Sequence, residues 1–239
     1  MNEPITQESI AAMIDVSAVQ TQSTWADAVH VLETADQFGG SAIFLLGEIT
    51  RRIVPELERV NRRRASEGKR RIKLGGVAGF PDGGSLTEIK CAEAAKMLEL
   101  GCDEIDCVQN VGLAREGDWK GVEADLVALR KTTEGKTLKV ILECPYLNDE
   151  QIAMAARVAY NAGADWIKTS TGWPEKNKTT PANVALMRRV LGPDANIKAA
   201  GGVRSLQNLL DLHTAGARLF GISWSSVVKI MEEIQERVT

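Results

Sequence analysis

Short runs of apolar and β-branched residues recur along the chain at intervals typical of strands separated by helices. Apolar positions at helical spacing lie between most of these runs, as in the stretches that begin at Leu86, Asp149 and Pro181. Strand alternating with helix predicts parallel strands joined by right-handed crossovers. The eight runs that predict strands are IAAMIDVSA around residue 12, SAIFLL from Ser41, IKLGGVAGF from Ile72, EIDCVQNVG from Glu104, TLKVILEC from Thr137, DWIKTST from Asp165, NIKAAGGV from Asn196 and RLFGIS from Arg218.

Glycines mark the ends of the predicted helices. Gly39, Gly101, Gly163 and Gly216 each follow a helical stretch and precede a strand, where glycine supplies the left-handed residue that closes a helix. Eight strand–helix units in 239 residues, without a linker, favour one (β/α)8 TIM barrel that forms a single domain over residues 1–239. An open doubly wound sheet is the alternative, but no G-x-G-x-x-G follows the first predicted strand.

Composition and charge narrow the class of protein. Hydrophobic residues make up 44% and charged residues 26% of the chain, which suits a globular protein with a sizeable core. The net charge of −3 does not suggest general binding of polyanions. The N-terminal segment MNEPITQESI has no basic region or long apolar run, and no apolar stretch approaches the about 18 residues of a membrane span. We therefore expect a cytoplasmic protein without a membrane partner.

The cysteines and histidines that could bind zinc are few and are scattered along the chain. No two cysteines have C-x-x-C spacing, and the two histidines lie far apart in sequence, so a zinc site is not expected. Three of the cysteines lie among apolar or β-branched residues, where a buried, reduced thiol is the usual state. The residues concerned are Cys91, Cys102, Cys107, Cys144, His30 and His213.

One segment is strongly basic. No Lys or Arg precedes Arg51, whereas residues 51–73 carry ten of them against three acidic residues. Such a run could bind nucleic acid. Its arginines, however, fall late in a predicted helix and at the bottom of the barrel, where cations interact favourably with a helix C-terminus. We therefore expect a solvated face or a subunit contact, and no nucleic-acid partner.

Ionisable residues within apolar strands are the candidates for chemistry, because active sites of α/β barrels lie at the carboxyl ends of the strands. Lys168 and Lys198 come late in neighbouring strands about 4.8 Å apart, so their ammonium groups would be close. Burial and a neighbouring like charge favour a neutral amine, the nucleophile of imine chemistry. The same pattern also suits lysines that extend to solvent and pair with acids, and it leaves both interpretations open. The full candidate set is Asp15, Asp106, Glu143, Lys168 and Lys198.

Several motifs around these residues carry a resemblance to a known family. They are IKTSTG (167–172), KAAGGVRS (198–205) and DEIDCVQNVG (103–112), with GFPDGGSLTEIKCAEA (79–94) and KVILEC (139–144) in support. In order and spacing they resemble the deoxyribose-phosphate aldolase family of class I, Schiff-base aldolases. The first fifty-odd residues resemble the family less, with Ile14-Asp15 as the main similarity.

The resemblance implies a mechanism. Lys168 would form an imine with 2-deoxyribose 5-phosphate, Lys198 would lower the pKa of Lys168, and Asp106, late in the fourth strand and across the mouth, would belong to the proton relay. Cleavage would give glyceraldehyde 3-phosphate and acetaldehyde, with Asp106 and Lys198 moving protons through a bound water. No metal or organic cofactor is implied.

A phosphate site is expected beyond the seventh and eighth strands, where barrels commonly hold one. Gly201 and Gly202 can bring backbone N–H groups close to an oxyanion, although a Gly-Gly pair is also typical of a tight turn. The resemblance adds Gly172 to this site, and an alignment of the eighth strand at Gly221 adds Ser223.

The chain departs from the family pattern at two tryptophans. Trp173 follows the phosphate-site glycine, and Trp224 stands where a second small residue is expected after Ser223, unless Ser225 and Ser226 take those places. The two indoles either line a pocket remodelled for a different or unphosphorylated aldehyde, or Trp224 packs outward against the final helix.

Two expectations about partners follow. The ligand is a small aldehyde or sugar phosphate, and outer helices of barrels often pair, so we expect a homo-oligomer, with a dimer as the first choice. An inactive barrel that serves as a binding module is an alternative, but a binding module has no need of Lys168, Lys198 and Asp106 together.

Overall fold

A closed barrel of eight parallel strands forms the centre of the protein. The computed structural model describes residues 6–174 and 178–238, so residues 1–5, part of the N-terminal segment considered above, lie outside the described residues. The strands follow one another around the barrel in chain order, and β8 closes it against β1. The predicted (β/α)8 barrel is thus confirmed. The strands are Ile14–Ala18 (β1), Ala42–Leu45 (β2), Lys73–Ala78 (β3), Glu104–Val108 (β4), Thr137–Ile141 (β5), Trp166–Lys168 (β6), Ile197–Ala200 (β7) and Leu219–Ser223 (β8).

Helices surround the barrel and connect its strands. Ser, Thr, Asp or Asn side chains cap several of them by accepting a backbone N–H, as Thr24 and Thr180 do. The helix predicted from Leu86 begins one residue later, with Leu86 as its N-cap. The helices are Gln7–Ala11 (α1), Trp25–Phe38 (α2), Gly47–Ser66 (α3), Thr87–Glu99 (α4), Val111–Glu116 (α5), Trp119–Thr132 (α6), Asp149–Asn161 (α7), Pro181–Leu191 (α8), Leu206–Thr214 (α9) and Trp224–Val238 (α10), with a short 3₁₀ helix at Cys144–Tyr146.

Alternation along the strands separates two environments. One set of strand side chains points outward and packs beneath the helices in the main hydrophobic core, for example Ile43, Ile105 and Val140. Full burial of such a side chain contributes about 1.5–3 kcal/mol. The other set points into the barrel, because successive side chains of a strand face opposite sides. The ionisable strand residues belong to this inner set.

Strand lengths correct two details of the sequence-based expectation. Asp106 is the central residue of β4 and Lys198 the second residue of β7, so neither lies late in its strand. The fifth strand ends at Ile141, and Glu143 instead adopts a left-handed backbone conformation with φ of 57°. Asp106 and Lys198 therefore lie deeper in the barrel than predicted.

Local ion pairs occupy much of the basic segment. Arg51 pairs with Glu48 and Arg59 with Glu56 along α3. The buried Arg64 donates to the Asp36 carboxylate on α2 at 3.0 Å, and so fastens the end of α3 to α2. These contacts agree with the expected solvated helix face, and the exclusion of nucleic acid stays a prediction.

The thiols agree with the sequence-based expectation. Cys102, Cys107 and Cys144 are buried and free, and burial raises the pKa of Cys102 and of Cys107 to about 12. Within the described ranges, no three His, Cys, Asp or Glu side chains converge as metal ligands. None of the helices described is long and apolar enough to cross a membrane.

Candidate active site

Two lysines and an aspartate meet inside the barrel. Strand pairing places Lys168 directly opposite Lys198, so the two side chains share one height, as predicted. One carboxylate oxygen of Asp106 accepts from both, at 2.7 Å from Lys168 Nζ and 2.8 Å from Lys198 Nζ. All three residues are at most 7% exposed. The structure therefore joins the three residues singled out from the sequence into one hydrogen-bonded cluster.

The cluster extends to Asp15, one of the candidates from the sequence, and to Lys139 and Glu104, which were not among those candidates. Asp15 Oδ2 accepts from Lys198 at 2.6 Å and from Lys139 at 3.2 Å. Lys139 also forms an ion pair with Glu104, and both are buried. A signal for Lys139 was present, because a charged residue at an inward position of the apolar strand TLKVI needs internal partners.

The electrostatic surroundings of Lys168 favour its neutral form. Burial, assisted by the Lys198 ammonium, lowers the pKa of Lys168 from 10.5 to about 8 against the opposing attraction of Asp106. Burial alone would raise the pKa of Asp106, but the surrounding lysines hold that pKa well below its usual range. At neutral pH Lys168 is therefore neutral roughly 300-fold more often than an ordinary lysine, while Asp106 is ionised.

An aromatic ring forms the apolar wall of this cluster. The centroid of the Phe44 ring lies 4.3 Å from Lys198 Nζ and 4.7 Å from Lys139 Nζ. Gly75 makes room for it, because a Cβ there would approach the ring to 2.2 Å. The small cavity that Phe44 lines also contains Asp15, Lys168 and Lys198. A carbonyl compound that entered it would meet the amine of Lys168.

A buried carboxylate organises the loop after β6. Glu143 accepts from the hydroxyls of Ser170 and Thr171, and the Thr171 N–H lies 3.2 Å from each of its oxygens. The two hydroxyls in turn accept from the N–H groups of Gly172 and Trp173, each at 3.1 Å. Burial raises the pKa of Glu143, and these hydrogen bonds oppose the rise. Glu143 thereby fixes the loop that follows Lys168.

Three glycines line a cavity of about 340 Å³ at the barrel mouth. Gly172, Gly201 and Gly202 have φ between 85° and 91°, a region that disfavours other residues. Two of them are also in close approach, since a Cβ on Gly201 would lie 3.3 Å from the Gly172 Cα. Ser223 and Arg204 line the same cavity. The arrangement offers backbone, hydroxyl and cationic groups to an anion.

The structure separates the roles of the two tryptophans. Trp224 is the first residue of α10 and packs outward, with its ring 4.6 Å from that of His30 and its Nε1 3.4 Å from Asp27 Oδ1. Its neighbour is therefore α2 rather than the final helix, to which Trp224 itself belongs. Trp173 lines the mouth, where its Nε1 donates to the carbonyl of Val19 at 2.6 Å. Of the two indoles, that of Trp173 therefore lies at the 340 Å³ cavity and that of Trp224 does not line it.

The eighth-strand serines divide between strand and helix. Ser223 ends β8, and its hydroxyl lies 3.0 Å from that of Ser226 in the first turn of α10. Both line the 340 Å³ cavity. The structure thus combines one serine from each of the two alignments considered for this strand.

The family model described as DeoC/LacD family aldolase matches residues 48–224 of the chain. The deoxyribose-phosphate aldolase of Kocuria rhizophila is 38% identical over 92% of this chain and 94% of its own length. That of Klebsiella pneumoniae is 34% identical over 99% of this chain and 91% of its own length. Among solved structures, the deoxyribose phosphate aldolase of Aeropyrum pernix, described as having a unique tetrameric structure, superposes with a TM-score of 0.81 and 29% identity over 97% of this chain and 93% of its own.

Proposed function

The chain belongs to the DeoC/LacD aldolase family, and we propose that it cleaves 2-deoxyribose 5-phosphate to glyceraldehyde 3-phosphate and acetaldehyde through an imine on Lys168. The observation that carries the proposal is Lys168 itself, a buried amine with a pKa of about 8 at the end of β6, 2.7 Å from a carboxylate. The alternatives of another aldehyde or of an inactive binding module gain no support, since the relatives named above are deoxyribose-phosphate aldolases.

The reaction follows from the chemistry of a neutral amine beside proton carriers. The Lys168 amine adds to the aldehyde carbon, and loss of water gives an iminium ion. Removal of the proton from the 3-hydroxyl then breaks the C2–C3 bond, and the electron pair moves to the nitrogen as an enamine. Protonation at C2 and addition of water release acetaldehyde and restore the amine. Asp106 and Lys198, which are hydrogen-bonded to each other, are the proposed proton carriers.

The iminium nitrogen is the electron sink of this reaction, so the proposed mechanism requires no metal or organic cofactor. The phosphate of the substrate is proposed to bind at the mouth, against the backbone of Gly172, Gly201 and Gly202 and the hydroxyl of Ser223. Their shared cavity and positive φ values support this position, because backbone that is free of Cβ atoms can approach a phosphate oxygen closely. Arg204 lines the same cavity and adds a positive charge.

The experiment that tests the function is reductive trapping. The protein is incubated with 2-deoxyribose 5-phosphate or with acetaldehyde, reduced with borohydride, and analysed by intact mass and peptide mapping. We expect a stable secondary amine on Lys168 from both compounds, and a trapping rate that rises with pH through about 8, because only the neutral amine adds to the carbonyl. A Lys96→Met variant, which changes an exposed lysine on α4 far from the cavity residues, should still be labelled on Lys168.

The outcomes of this experiment separate the parts of the proposal. An adduct from acetaldehyde alone would retain the imine chemistry and reject the substrate, with Trp173 as the first residue to change. The absence of any adduct on Lys168 would reject the proposed function.

Replacement of Glu143 tests the link between the loop after β6 and the phosphate. Glu143→Gln keeps the size of the side chain but gives up an acceptor for the Ser170 and Thr171 hydroxyls and the Thr171 N–H. We expect KM for 2-deoxyribose 5-phosphate to rise about tenfold, with a smaller change in kcat, because the phosphate-binding backbone loses its support. Steady-state kinetics measure both constants.

Two controls make the Glu143 result specific. KM for unphosphorylated 2-deoxyribose should stay within about twofold of the wild-type value, and Glu150→Gln, on the exposed start of α7, should leave both substrates unaffected. Equal increases for the phosphorylated and the unphosphorylated sugar would show that Glu143 does not act through the phosphate.

A relative with a known assembly bears on the oligomeric state. The tetramer described for the Aeropyrum pernix enzyme supports a homo-oligomer for this chain as well, whereas the dimer expected from the sequence stays a prediction. The cytoplasmic location stays a prediction as well.

A further inference from the structure

Charged side chains form a continuous column along the barrel axis, below the reacting lysine. Lys139 contacts three carboxylates of this column, since Asp106 Oδ1 lies 3.6 Å from its Nζ in addition to the Asp15 and Glu104 contacts. Lys73 ends the column with a 3.4 Å contact to Glu104 and has a half-exposed side chain. The members are Asp15, Lys73, Glu104, Asp106, Lys139, Lys168 and Lys198.

The column holds more lysines than carboxylates. Four lysines share three carboxylates. If all four lysines were protonated and the carboxylates ionised, one surplus positive charge would remain in a largely buried site. The contacts within 4 Å rank the buried lysines, with three carboxylates around Lys139, two around Lys198 and one beside Lys168. An ammonium with few carboxylate partners is the first to lose its proton. The arrangement therefore directs deprotonation to Lys168.

We propose that Lys139 and Glu104 are positioning residues that fix the protonation state of Lys168 by setting the charge of the column beneath it. The imine role of Lys168 on which this rests is the proposed function above. Neither Lys139 nor Glu104 lines the cavity that holds the Lys168 side chain, so their effect would be electrostatic. The carboxylates around Lys139 raise its pKa although burial opposes the rise, which agrees with Lys139 as the lysine that keeps its proton.

The other elements packed around Lys168 contribute little charge beyond that of the column. From the loop after β5, Glu143 is the remaining acidic group, and it is engaged by Ser170 and Thr171. β2 and β8 face the cavity with Phe44 and Gly221, which do not titrate. The charge near Lys168 is therefore set by the column members from β1, β3, β4, β5 and β7.

The test measures the protonation of Lys168 by trace acetylation with acetic anhydride, followed by peptide mass analysis at a series of pH values. This readout does not require catalysis, so it is independent of the imine. Lys139→Met removes a positive charge, and we expect the midpoint for Lys168 to rise by roughly one pH unit. Glu104→Gln removes a negative charge, and the midpoint should fall by a smaller amount, roughly half a unit. The acid limb of kcat/KM should move in the same two directions.

Controls protect the test from an effect of folding. The double variant Lys139→Met/Glu104→Gln removes both members of the buried pair and is expected to give a midpoint roughly half a pH unit above wild type, the sum of the two single shifts, with folding checked by circular dichroism. The matched surface pair is Lys96–Glu99, an exposed 2.7 Å contact on α4, and Lys96→Met and Glu99→Gln should leave the midpoint unchanged.

Two results would overturn the inference. One is an acetylation midpoint for Lys168 that stays within about 0.2 pH units of wild type in the single variants. If the single variants do not fold, the same midpoint in the folded double variant, together with an unchanged acid limb of the kcat/KM profile, would overturn it. The other is a shift in the same direction in Lys139→Met and Glu104→Gln. Failure of the proposed function has a different signature, namely no borohydride adduct on Lys168 while the acetylation midpoints still move apart.

Discussion

Replacement of Lys168 by methionine is expected to lower kcat for cleavage of 2-deoxyribose 5-phosphate by about 10⁴-fold or more, because Lys198, the other amine that lines the cavity, is engaged by the carboxylates of Asp15 and Asp106. The cluster should remain folded, since Asp106 keeps Lys198 as a partner at 2.8 Å. Lys168→Arg should be equally inactive, because a guanidinium retains the charge but does not act as the nucleophile. Coupled detection of released glyceraldehyde 3-phosphate measures the rate.

A matched surface variant controls for expression and handling. Lys96→Met removes a lysine that is half-exposed on α4 and should retain wild-type kcat. Activity of Lys168→Met within about tenfold of wild type would show that the imine forms elsewhere or not at all.

Replacement of Asp106 by asparagine is expected to separate imine formation from turnover. The amide cannot carry a proton, so kcat should fall by about 10²–10⁴-fold. Loss of the carboxylate also removes the attraction that opposes deprotonation of Lys168, so its pKa should fall below about 8 and trapping with acetaldehyde should persist at neutral pH. The measurements are the cleavage rate and the mass of the reduced adduct on the same sample.

Folding of the Asp106 variant needs its own check, since removal of one partner from a buried ion cluster destabilises a protein by about 3–5 kcal/mol. Deprotonation of Lys168 reduces this loss, and a thermal unfolding curve measures what is left. Glu99→Gln serves as the exposed control. If trapping and turnover fell in equal proportion, Asp106 would act on imine formation rather than on the later proton transfers.

The barrel architecture and the pairing of Lys168 with Lys198 could both be predicted from the sequence. Eight strand–helix units of the observed lengths favour a closed eight-stranded barrel. Because right-handed crossovers make the strands parallel, the carboxyl ends of all strands lie on the same face of the barrel. Lys168 and Lys198 occupy inward positions of consecutive strands, so their proximity follows from parallel pairing alone, and the register confirms it. Local spacing was sufficient because these two strands are neighbours.

The charges that complete the cluster come from segments that are distant in sequence, so they became apparent only in the folded barrel. Asp15 and Lys198 lie 183 positions apart and meet because β8 closes the barrel against β1. Sequence periodicity could assign Lys139 and Glu104 to the inner face of the barrel. It could not predict the height along the barrel axis at which each Nζ or carboxylate meets its partner. That height depends on the stagger between strands, which local patterns do not contain.

The residue at which a helix starts and the conformation of a loop also could not be predicted from the sequence. Trp224 turns outward because α10 begins at that residue, and the helical backbone directs the indole onto α2 instead of into the cavity. Glu143 leaves the strand pattern in a left-handed conformation that its buried hydrogen bonds maintain. Features that depend on periodicity could be predicted from the sequence. Contacts between distant segments could not, because their free energy exists only when the barrel is closed.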